Sequence, residues 1–258
     1  TIISTLAWGL GYFGMPHILL RFMAIEDEKK LTLSRRIAIV WVVISMAVAV
    51  FIGVIGYSMS KVGAIDVLEG SNSETIIVRI ADLLSRHGVI FALLAGVILA
   101  GILASTMSTA DSQLLAASSA VSSDMLNRNG KSGIIAARIT LLLIAVFSVI
   151  LARNPNSSVF QIVSFAWAGF GAAFGPVVLF SLFWRRTNKY GALAGMLSGG
   201  VMIFVWKYLV RPLGGAWNIY ELLPAFIVAC VAIVVFSLAT PAPDQSILDE
   251  FDRAASGK

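Results

Sequence analysis

The sequence has 258 residues and a formal net charge of +5; 58% of its residues are hydrophobic and only 13% are charged. Its mean hydropathy of +0.89 excludes an ordinary soluble domain and indicates a membrane protein. It has no basic cluster with interleaved aromatic residues, which argues against nucleic acid as a partner, and its single cysteine predicts neither an internal disulfide nor a metal site.

The first segment, residues 1–24, is uncharged over its first twenty residues and is long enough to cross a bilayer. Its middle contains three glycines and a proline, namely Gly9, Gly11, Gly14 and Pro16. Glycine costs about 1 kcal/mol in a helix interior, and proline removes a backbone donor. A break at membrane depth is tolerated only inside protein or beside a watery cavity, and in secondary transporters it marks the substrate site. The alternative interpretation is a simple packing kink.

Six further segments have the length and apolar character of spanning helices: 37–60, 88–110 with a polar extension to about 124, 133–152, 159–184, 190–209 and 220–240. Strands of a membrane barrel would alternate apolar and polar residues, and these segments do not. The sequence therefore predicts an all-α, polytopic membrane helix bundle with seven transmembrane helices over residues 1–240. Because the chain starts at Thr1 inside an apolar segment, we expect it to be the C-terminal part of a longer protein.

Most of the 19 lysine and arginine residues lie in alternate loops and in the tail. These are Arg21, Lys29, Lys30, Arg35, Arg36, Arg128, Lys131, Arg138, Arg185, Arg186, Lys189, Arg253 and Lys258. Since cytoplasmic loops carry an excess of these residues, we expect the tail, residues 241–258, in the cytoplasm and a location in the plasma (inner) membrane. Residues 74–86 then lie outside, where their apolar spacing predicts a short amphipathic helix.

The third segment becomes polar after residue 104, and its hydroxyl residues Ser105, Ser108, Thr109 and Ser112 are spaced three or four apart. On a helix they share one face. Neutral oxygen ligands at membrane depth suit a small hard cation such as sodium. The alternative is that the hydroxyls bond the carbonyl one turn back or hold helices together.

Asp111 lies next to this face and is predicted to be an intramembrane carboxylate, which is costly to bury and a functional candidate by default. Three interpretations remain open. Asp111 lines an inner exit path, contacts a coupling ion indirectly, or pairs with a basic residue near the cytoplasmic helix end.

Three stretches, residues 8–24, 102–126 and 165–199, carry a family resemblance. They read WGLGYFGMPHILLRFMA, ILASTMSTADSQLLAASSAVSSDML and FAWAGFGAAFGPVVLFSLFWRRTNKYGALAGMLSG. The chain resembles the sodium/solute symporter family, and most of all its sodium/proline symporters. The resemblance implies a leucine-transporter-like inverted-repeat fold, of which these helices are the sixth to the twelfth in the core numbering. It also implies that the family's first repeat belongs to an N-terminal part outside this chain.

The resemblance implies a sodium-coupled importer of a small zwitterion, L-proline, with sodium as the co-transported ion. By position, Ser105, Ser108 and Thr109 match the family's sodium-site residues on the eighth core helix. Ser105 stands where proline symporters often offer only a backbone carbonyl, so its hydroxyl need not be a ligand. The remaining ligands would come from the family's first core helix.

The resemblance also assigns the substrate region. Trp8, Tyr12 and Pro16 match positions that the family uses around the substrate in its broken sixth helix. Indole and phenol supply rigid apolar walls with a polar tip, which suits a pyrrolidine ring. Backbone groups around Gly9, Gly11 and Gly14 are expected to meet the ammonium and the carboxylate. The alternative for the aromatic residues is an interfacial belt.

The remaining motifs lie in the last three spans. The fifth span, rich in glycine, is expected to be a second flexible element. The resemblance implies that this helix helps to close the outer side over the substrate, with Trp167 or Phe170 in that outer gate; core or lipid-facing packing is the alternative for these aromatic residues. Glycines that recur every four residues in the sixth span predict close helix packing. They are Gly191, Gly195 and Gly199. Charged residues near the outer boundary, with snorkelling basic side chains, are Lys207, Arg211 and Glu221.

The sequence leaves two alternatives to proline transport open. A solute-sensing membrane module of a signalling protein is one alternative, although the short tail has no kinase-like or coiled-coil pattern. A family symporter for another solute, such as pantothenate or a sugar, is a second. An enzyme is disfavoured, because the sequence shows no nucleophile with a paired base, no metal cluster and no phosphate loop. The expected partners are the small-molecule substrate, the lipid bilayer and the missing N-terminal repeat.

Overall fold

The structure is a computed structural model that describes residues 2–27, 29–126, 130–153 and 158–256. Within these ranges the chain forms helices and no strand, which confirms the all-α prediction. The helices are α1 (Ile2–Ala7), α2 (Pro16–Met23), α3 (Lys30–Lys61), α4 (Ile76–Ser85), α5 (Val89–Ser119), α6 (Gly130–Ala152), α7 (Val159–Phe183), α8 (Lys189–Val205), α9 (Leu222–Ala239) and α10 (Gln245–Ser256). A π-helical turn continues α5 to Met125, and another continues α8 to Val210.

Among the described residues, six helices are long and apolar enough to cross a membrane, and the bent pair Ile2–Gly14 and Pro16–Met23 supplies a seventh span if it is counted as one. This agrees with the seven predicted spans. The largest difference in bounds is at α3, which starts at Lys30 instead of residue 37. The apolar run locates the part of a helix that lies in lipid, whereas the helix itself continues into water through lysine and arginine, which are good helix formers.

The chain forms two compact units. The first consists of Thr1–Ala24 together with Phe160–Lys258, and the second consists of Ile25–Val159. In the second unit α4 packs on α3 and α5, and α5 packs on α6. Helix α4 confirms the amphipathic helix expected over residues 74–86, and its Ala81 is buried. At Gly56 of α3 a Cβ would overlap the side chain of Ile76, so this glycine lets α4 approach closely.

In the first unit α8 and α9 pack along their length with small residues at the contact. The prediction for Gly191, Gly195 and Gly199 is confirmed, since all three are buried. A Cβ at Gly195 would overlap Ile233 of α9, and one at Gly199 would overlap the backbone of Ala172 in α7. Without a hydrophobic driving force between helices in lipid, such close backbone approach is what holds membrane helices together.

Helix α7 runs without interruption from Val159 to Phe183, although Pro176 lies inside it. Its glycines were expected to form a second flexible element, and the structure shows two of them, Gly171 and Gly175, packed against neighbouring elements. Gly171 lies against Gly11, and a Cβ at Gly175 would come 2.9 Å from the ring of Phe226. These glycines therefore serve close helix contact in this conformation.

The tail forms helix α10, which sequence patterning had left without structure. Arg185, in the turn between α7 and α8, donates two hydrogen bonds to the Asp252 carboxylate at 2.9 and 2.8 Å. The Arg186 guanidinium donates to the carbonyl of Thr240 at 2.7 Å, and the Asn188 amide donates to the carbonyl of Pro241 at 2.7 Å. The tail is thus fastened to the α7–α8 turn by charged and polar contacts.

Acidification is expected to loosen this attachment. The hydrogen bond from Arg185 holds the pKa of Asp252 below its ordinary value. The attachment from this pair is therefore fully present at neutral pH and is lost only as the pH falls below about 4 and through the lowered pKa. Asp252→Asn is expected to raise the population of detached α10 at pH 7, because it removes the carboxylate of this half-exposed pair. Pulsed EPR distances between spin labels on α8 and α10 measure this; Glu250→Gln is the matched control, and an unchanged distance in Asp252→Asn contradicts the prediction.

Candidate functional site

The first span is broken as the sequence predicts. Helix α1 ends at Ala7, and residues Trp8–Gly14 wind as a 3₁₀ helix. Met15 is extended, with φ −85° and ψ 112°, and Pro16 then begins α2 at a bend of 53°. Proline is favoured at the first position of a helix and restricts the preceding residue to extended geometry, which places the break at Met15.

Two glycines of this stretch lie directly against α7. A Cβ at Gly11 would overlap the indole of Trp167. At Gly14 it would overlap the carbonyl of Phe170 and come within 2.9 Å of the Gly171 Cα atom. Gly9 faces open space. The three glycines thus differ in role, because two permit contact with α7 and one leaves the backbone accessible.

The side chain of Trp8 stacks against three aromatic rings. Its centroid lies 5.5 Å from Phe160, 5.6 Å from Trp167 and 5.8 Å from Tyr220, with interplanar angles of 9°, 15° and 16°. We call these four residues the aromatic cluster. Trp8 is half-buried, so the cluster covers part of the indole that the family resemblance assigns to the substrate.

A backbone contact joins the same elements. The Trp167 indole Nε1–H donates a hydrogen bond to the carbonyl of Trp8 at 3.0 Å. The ring of Tyr12 meets Trp167 edge-on, with the centroids 4.8 Å apart, and Tyr12 is 51% exposed. The predicted gate residue Trp167 therefore contacts the predicted substrate residues Trp8, Gly11 and Tyr12.

The other two predicted residues of this region do not join the aromatic cluster. The ring of Phe170 is 44% exposed and pairs with Phe174, with the centroids 6.1 Å apart. Only its backbone carbonyl borders Gly14. Pro16 is exposed at the start of α2.

The predicted sodium residues lie on α5, and Ser105, Ser108 and Thr109 are all exposed. The Thr109 hydroxyl donates to the carbonyl of Ser105 at 3.2 Å, and the Ser112 hydroxyl donates to the carbonyl of Ser108 at 3.0 Å. These are the bonds to the preceding turn that the alternative interpretation anticipated. Each uses the hydroxyl proton only, so the oxygen lone pairs remain able to accept a further donor or a cation.

Asp111 is also exposed on α5. Over the described ranges it takes part in no ion pair, so the interpretation of a structural pair at the helix end finds no support there. The same ranges contain no group of three histidine, cysteine or acidic residues able to hold a metal ion.

Comparison with known proteins decides the family. The profile of the family described as "Sodium:solute symporter family" matches residues 1–199. The chain belongs to this family.

Several relatives in the symporter family match nearly the whole chain. The "Sodium/proline symporter" of Haemophilus influenzae is 44% identical over 98% of this chain and 51% of its own length. The protein of the same name from Escherichia coli is 39% identical over 98% of this chain and 50% of its own. The "Osmoregulated proline transporter OpuE" of Bacillus subtilis is 39% identical over 94% of this chain and 49% of its own length. The chain thus spans about half the length of the curated relatives it matches, and no solved structure matches it.

Two residues of the aromatic cluster, Phe160 and Tyr220, were not anticipated from the sequence. Tyr220, just before α9, donates its phenol hydrogen to the carbonyl of Ser164 at 2.6 Å, and its backbone N–H donates to the hydroxyl of Ser4 at 3.1 Å. It thereby joins α1, α7 and α9 beside Trp8. The only local signal was a tyrosine at the start of an apolar span, where belt aromatics are common.

The three charged residues that were predicted to lie near the outer boundary, with snorkelling basic side chains, converge in the structure. Glu221 is buried, and its carboxylate lies 2.9 Å from the Arg211 guanidinium and 4.0 Å from the Lys207 ammonium. Lys207 also lies over the ring of Phe165 at 3.7 Å from the centroid. A carboxylate is retained in a buried place only when it is paired, and here two cations pair with it next to Tyr220.

We expect Glu221→Gln to lower the free energy of unfolding by about 1–3 kcal/mol, because two cations lose their carboxylate while Arg211 keeps partial access to water. Thermal unfolding of the purified protein in detergent measures this. Asp82→Asn is the matched control. It breaks a 2.7 Å pair with Arg86 in which both side chains are more than half exposed, so its effect should stay within about 0.5 kcal/mol. Equal shifts in the two variants would contradict a stabilising role for the buried cluster.

Proposed function

We propose that the protein containing this chain is a sodium-coupled secondary transporter that imports a small zwitterion, L-proline. The observation that carries the proposal is the uncharged span broken at Trp8–Met15, in a family member whose compared relatives are named as proline symporters or transporters. Interrupted membrane helices present free backbone groups to small polar substrates.

The proposed substrate site is the 3₁₀ stretch and the start of α2. Trp8, Tyr12 and Pro16 supply walls for the pyrrolidine ring, and the backbone around Gly9, Gly11 and Gly14 meets the ammonium and the carboxylate. The exposure of Gly9 and Tyr12 supports this, since both are accessible to a small molecule. The Trp8 indole and the Tyr12 phenol, beside free backbone groups, match proline, because the aromatic faces can contact its apolar pyrrolidine ring while the backbone binds its charged groups.

The proposed sodium ligands are Ser105, Ser108 and Thr109, with sodium as co-substrate. Sodium prefers oxygen ligands, and uncharged ones release the ion more readily than carboxylates would. The Thr109 hydroxyl uses only its proton in the hydrogen bond to the Ser105 carbonyl, and the lone pairs left on its oxygen support a ligand role. The remaining ligands would come from the N-terminal repeat of the same protein.

Coupling then follows from a difference in affinity between two states. Sodium on α5 stabilises the outward-open arrangement, and substrate favours closure of an outer gate that contains Trp167 or Phe170. Inward opening weakens the sodium site and releases both ligands, with Asp111 on the exit path. By linkage, sodium and proline raise each other's affinity by the same factor.

The proposed setting is the plasma (inner) membrane, with residues 1–240 in the membrane domain and residues 241–258 in the cytoplasm. The excess of lysine and arginine in the α7–α8 turn and the other loops of that side supports this orientation.

Uptake of labelled proline by the full-length protein in proteoliposomes tests the function. We expect accumulation driven by an inward sodium gradient and its loss when potassium replaces sodium. Pantothenate or a sugar accumulating in place of proline would change the substrate but keep the coupling. Uptake that is indifferent to sodium would contradict the proposal.

A further inference from the structure

The carbonyl of Trp8 is already occupied by a donor from another helix. It accepts the Trp167 indole Nε1–H at 3.0 Å, and the two residues are 159 positions apart in the chain. This carbonyl stands at the start of the 3₁₀ stretch, beside the exposed Gly9. It therefore belongs to the backbone that the proposed function offers to the substrate ammonium.

Trp167 covers the surrounding residues as well. Its indole lies where a Cβ of Gly11 would stand, its ring stacks on Trp8 at 5.6 Å, and the ring of Tyr12 meets it edge-on at 4.8 Å. A single side chain of α7 thus contacts three of the residues assigned to the substrate. A zwitterion binding to this backbone would have to share it with the indole or displace the indole.

We infer that the Trp167 indole N–H and the substrate ammonium compete for the Trp8 carbonyl, so that Trp167 sets the affinity for substrate. This inference rests on the proposed function and assigns to Trp167 a role beyond that of a gate. A pyrrolidinium nitrogen brings a charged donor, and hydrogen bonds with a charged donor are roughly twice as strong as neutral ones. The carbonyl oxygen has two lone pairs, but the indole also covers Gly11 and stacks on Trp8, so the substrate reaches this oxygen by displacing the indole. Breaking the indole–carbonyl hydrogen bond lowers the apparent affinity of the protein for the substrate.

Trp167→Phe separates competition from wall contact, because it removes the N–H and keeps an aromatic ring against Trp8 and Tyr12. If the indole competes, the dissociation constant for proline in saturating sodium should fall roughly two- to tenfold, as expected for loss of one neutral hydrogen bond. Binding of labelled proline to the full-length purified protein measures it. Trp217→Phe, which removes an indole N–H from the turn Gly215–Trp217, is the matched control and should leave the constant unchanged.

Each result has one meaning. A tighter constant in Trp167→Phe, with the control unchanged, supports the competition. An equal or weaker constant overturns it and leaves Trp167 as a wall or gate residue. Wild-type protein that binds no proline in sodium overturns the proposed function itself, and this inference with it.

A second measurement needs no stable variant. In wild-type protein labelled with ¹⁵N at the tryptophan indoles, adding proline with sodium should shift one indole N–H signal and speed its exchange with solvent, because Trp167 loses its acceptor. Sodium alone is the control addition. Indole signals that stay in place at saturating proline overturn the competition.

Discussion

Removing the two neighbouring hydroxyls of α5 together, in Ser108→Ala/Thr109→Ala, is expected to abolish proline uptake at limiting sodium. A neutral oxygen ligand contributes about as much as a hydrogen bond, so losing two should raise the sodium concentration for half-maximal uptake by about ten- to a hundredfold. Saturating sodium should restore part of the uptake, since the substrate residues are untouched. Initial rates in proteoliposomes over a range of sodium concentrations measure the shift.

The control for this double variant lies on the same helix. Thr106→Ala removes a hydroxyl that donates to the carbonyl of Ile102 at 2.9 Å, and Thr106 lies about 100° around the helix from Ser105, at the centre of the face that Ser105 shares with Ser108 and Thr109. Its sodium dependence should match that of the wild type. Wild-type uptake in the double variant at limiting sodium would exclude both hydroxyls as ligands and would favour the helix-bonding interpretation.

Gly14→Ala is expected to cost both stability and transport. A methyl group there would overlap the carbonyl of Phe170 and approach the Gly175 nitrogen to 2.9 Å. Both are backbone atoms of α7 and cannot move aside as a side chain would. Overpacking of this kind costs about 1–3 kcal/mol, and here it also separates the broken helix from α7. We expect a lower unfolding temperature and at least about a tenfold loss of uptake, because Trp8 and Trp167 no longer lie in the relative positions that their hydrogen bond and ring stacking require.

Gly169→Ala is the comparison for this variant. Gly169 lies on α7 with nothing within 4 Å of its Cβ position, and alanine favours a helix over glycine by about 1 kcal/mol. Its unfolding temperature should equal or exceed that of the wild type. A Gly14→Ala protein as stable as Gly169→Ala would show that the broken helix tolerates a looser contact with α7.

These experiments concern different parts of one coupled mechanism. Ser108→Ala/Thr109→Ala changes the affinity for sodium, whereas Gly14→Ala changes the geometry of the proposed substrate site. If coupling is a difference in affinity between two states, the hydroxyl variant should also weaken proline binding at fixed sodium, since linkage is reciprocal. Equilibrium binding of labelled proline at two sodium concentrations measures this.

The membrane class, the number and approximate limits of the spans, the break near Pro16 and the family resemblance could all be predicted from the sequence. Each depends on local properties. A run of about twenty apolar residues spans a bilayer wherever it occurs, and proline restricts its preceding residue in any context. The hydroxyl face of α5 followed in the same way from helical spacing alone.

Which residues contact one another across helices could not be predicted from the sequence and is seen in the folded structure. Trp8 and Trp167 are 159 positions apart, and Tyr220 and Ser4 are 216 apart, so no local pattern could pair them. For the same reason Gly11 and Gly14 could be recognised as helix breakers but not as the places where α7 approaches. The burial of Glu221 and the attachment of α10 were equally invisible, because burial and ion pairing depend on neighbours brought in by other helices and not on the spacing of residues along one helix.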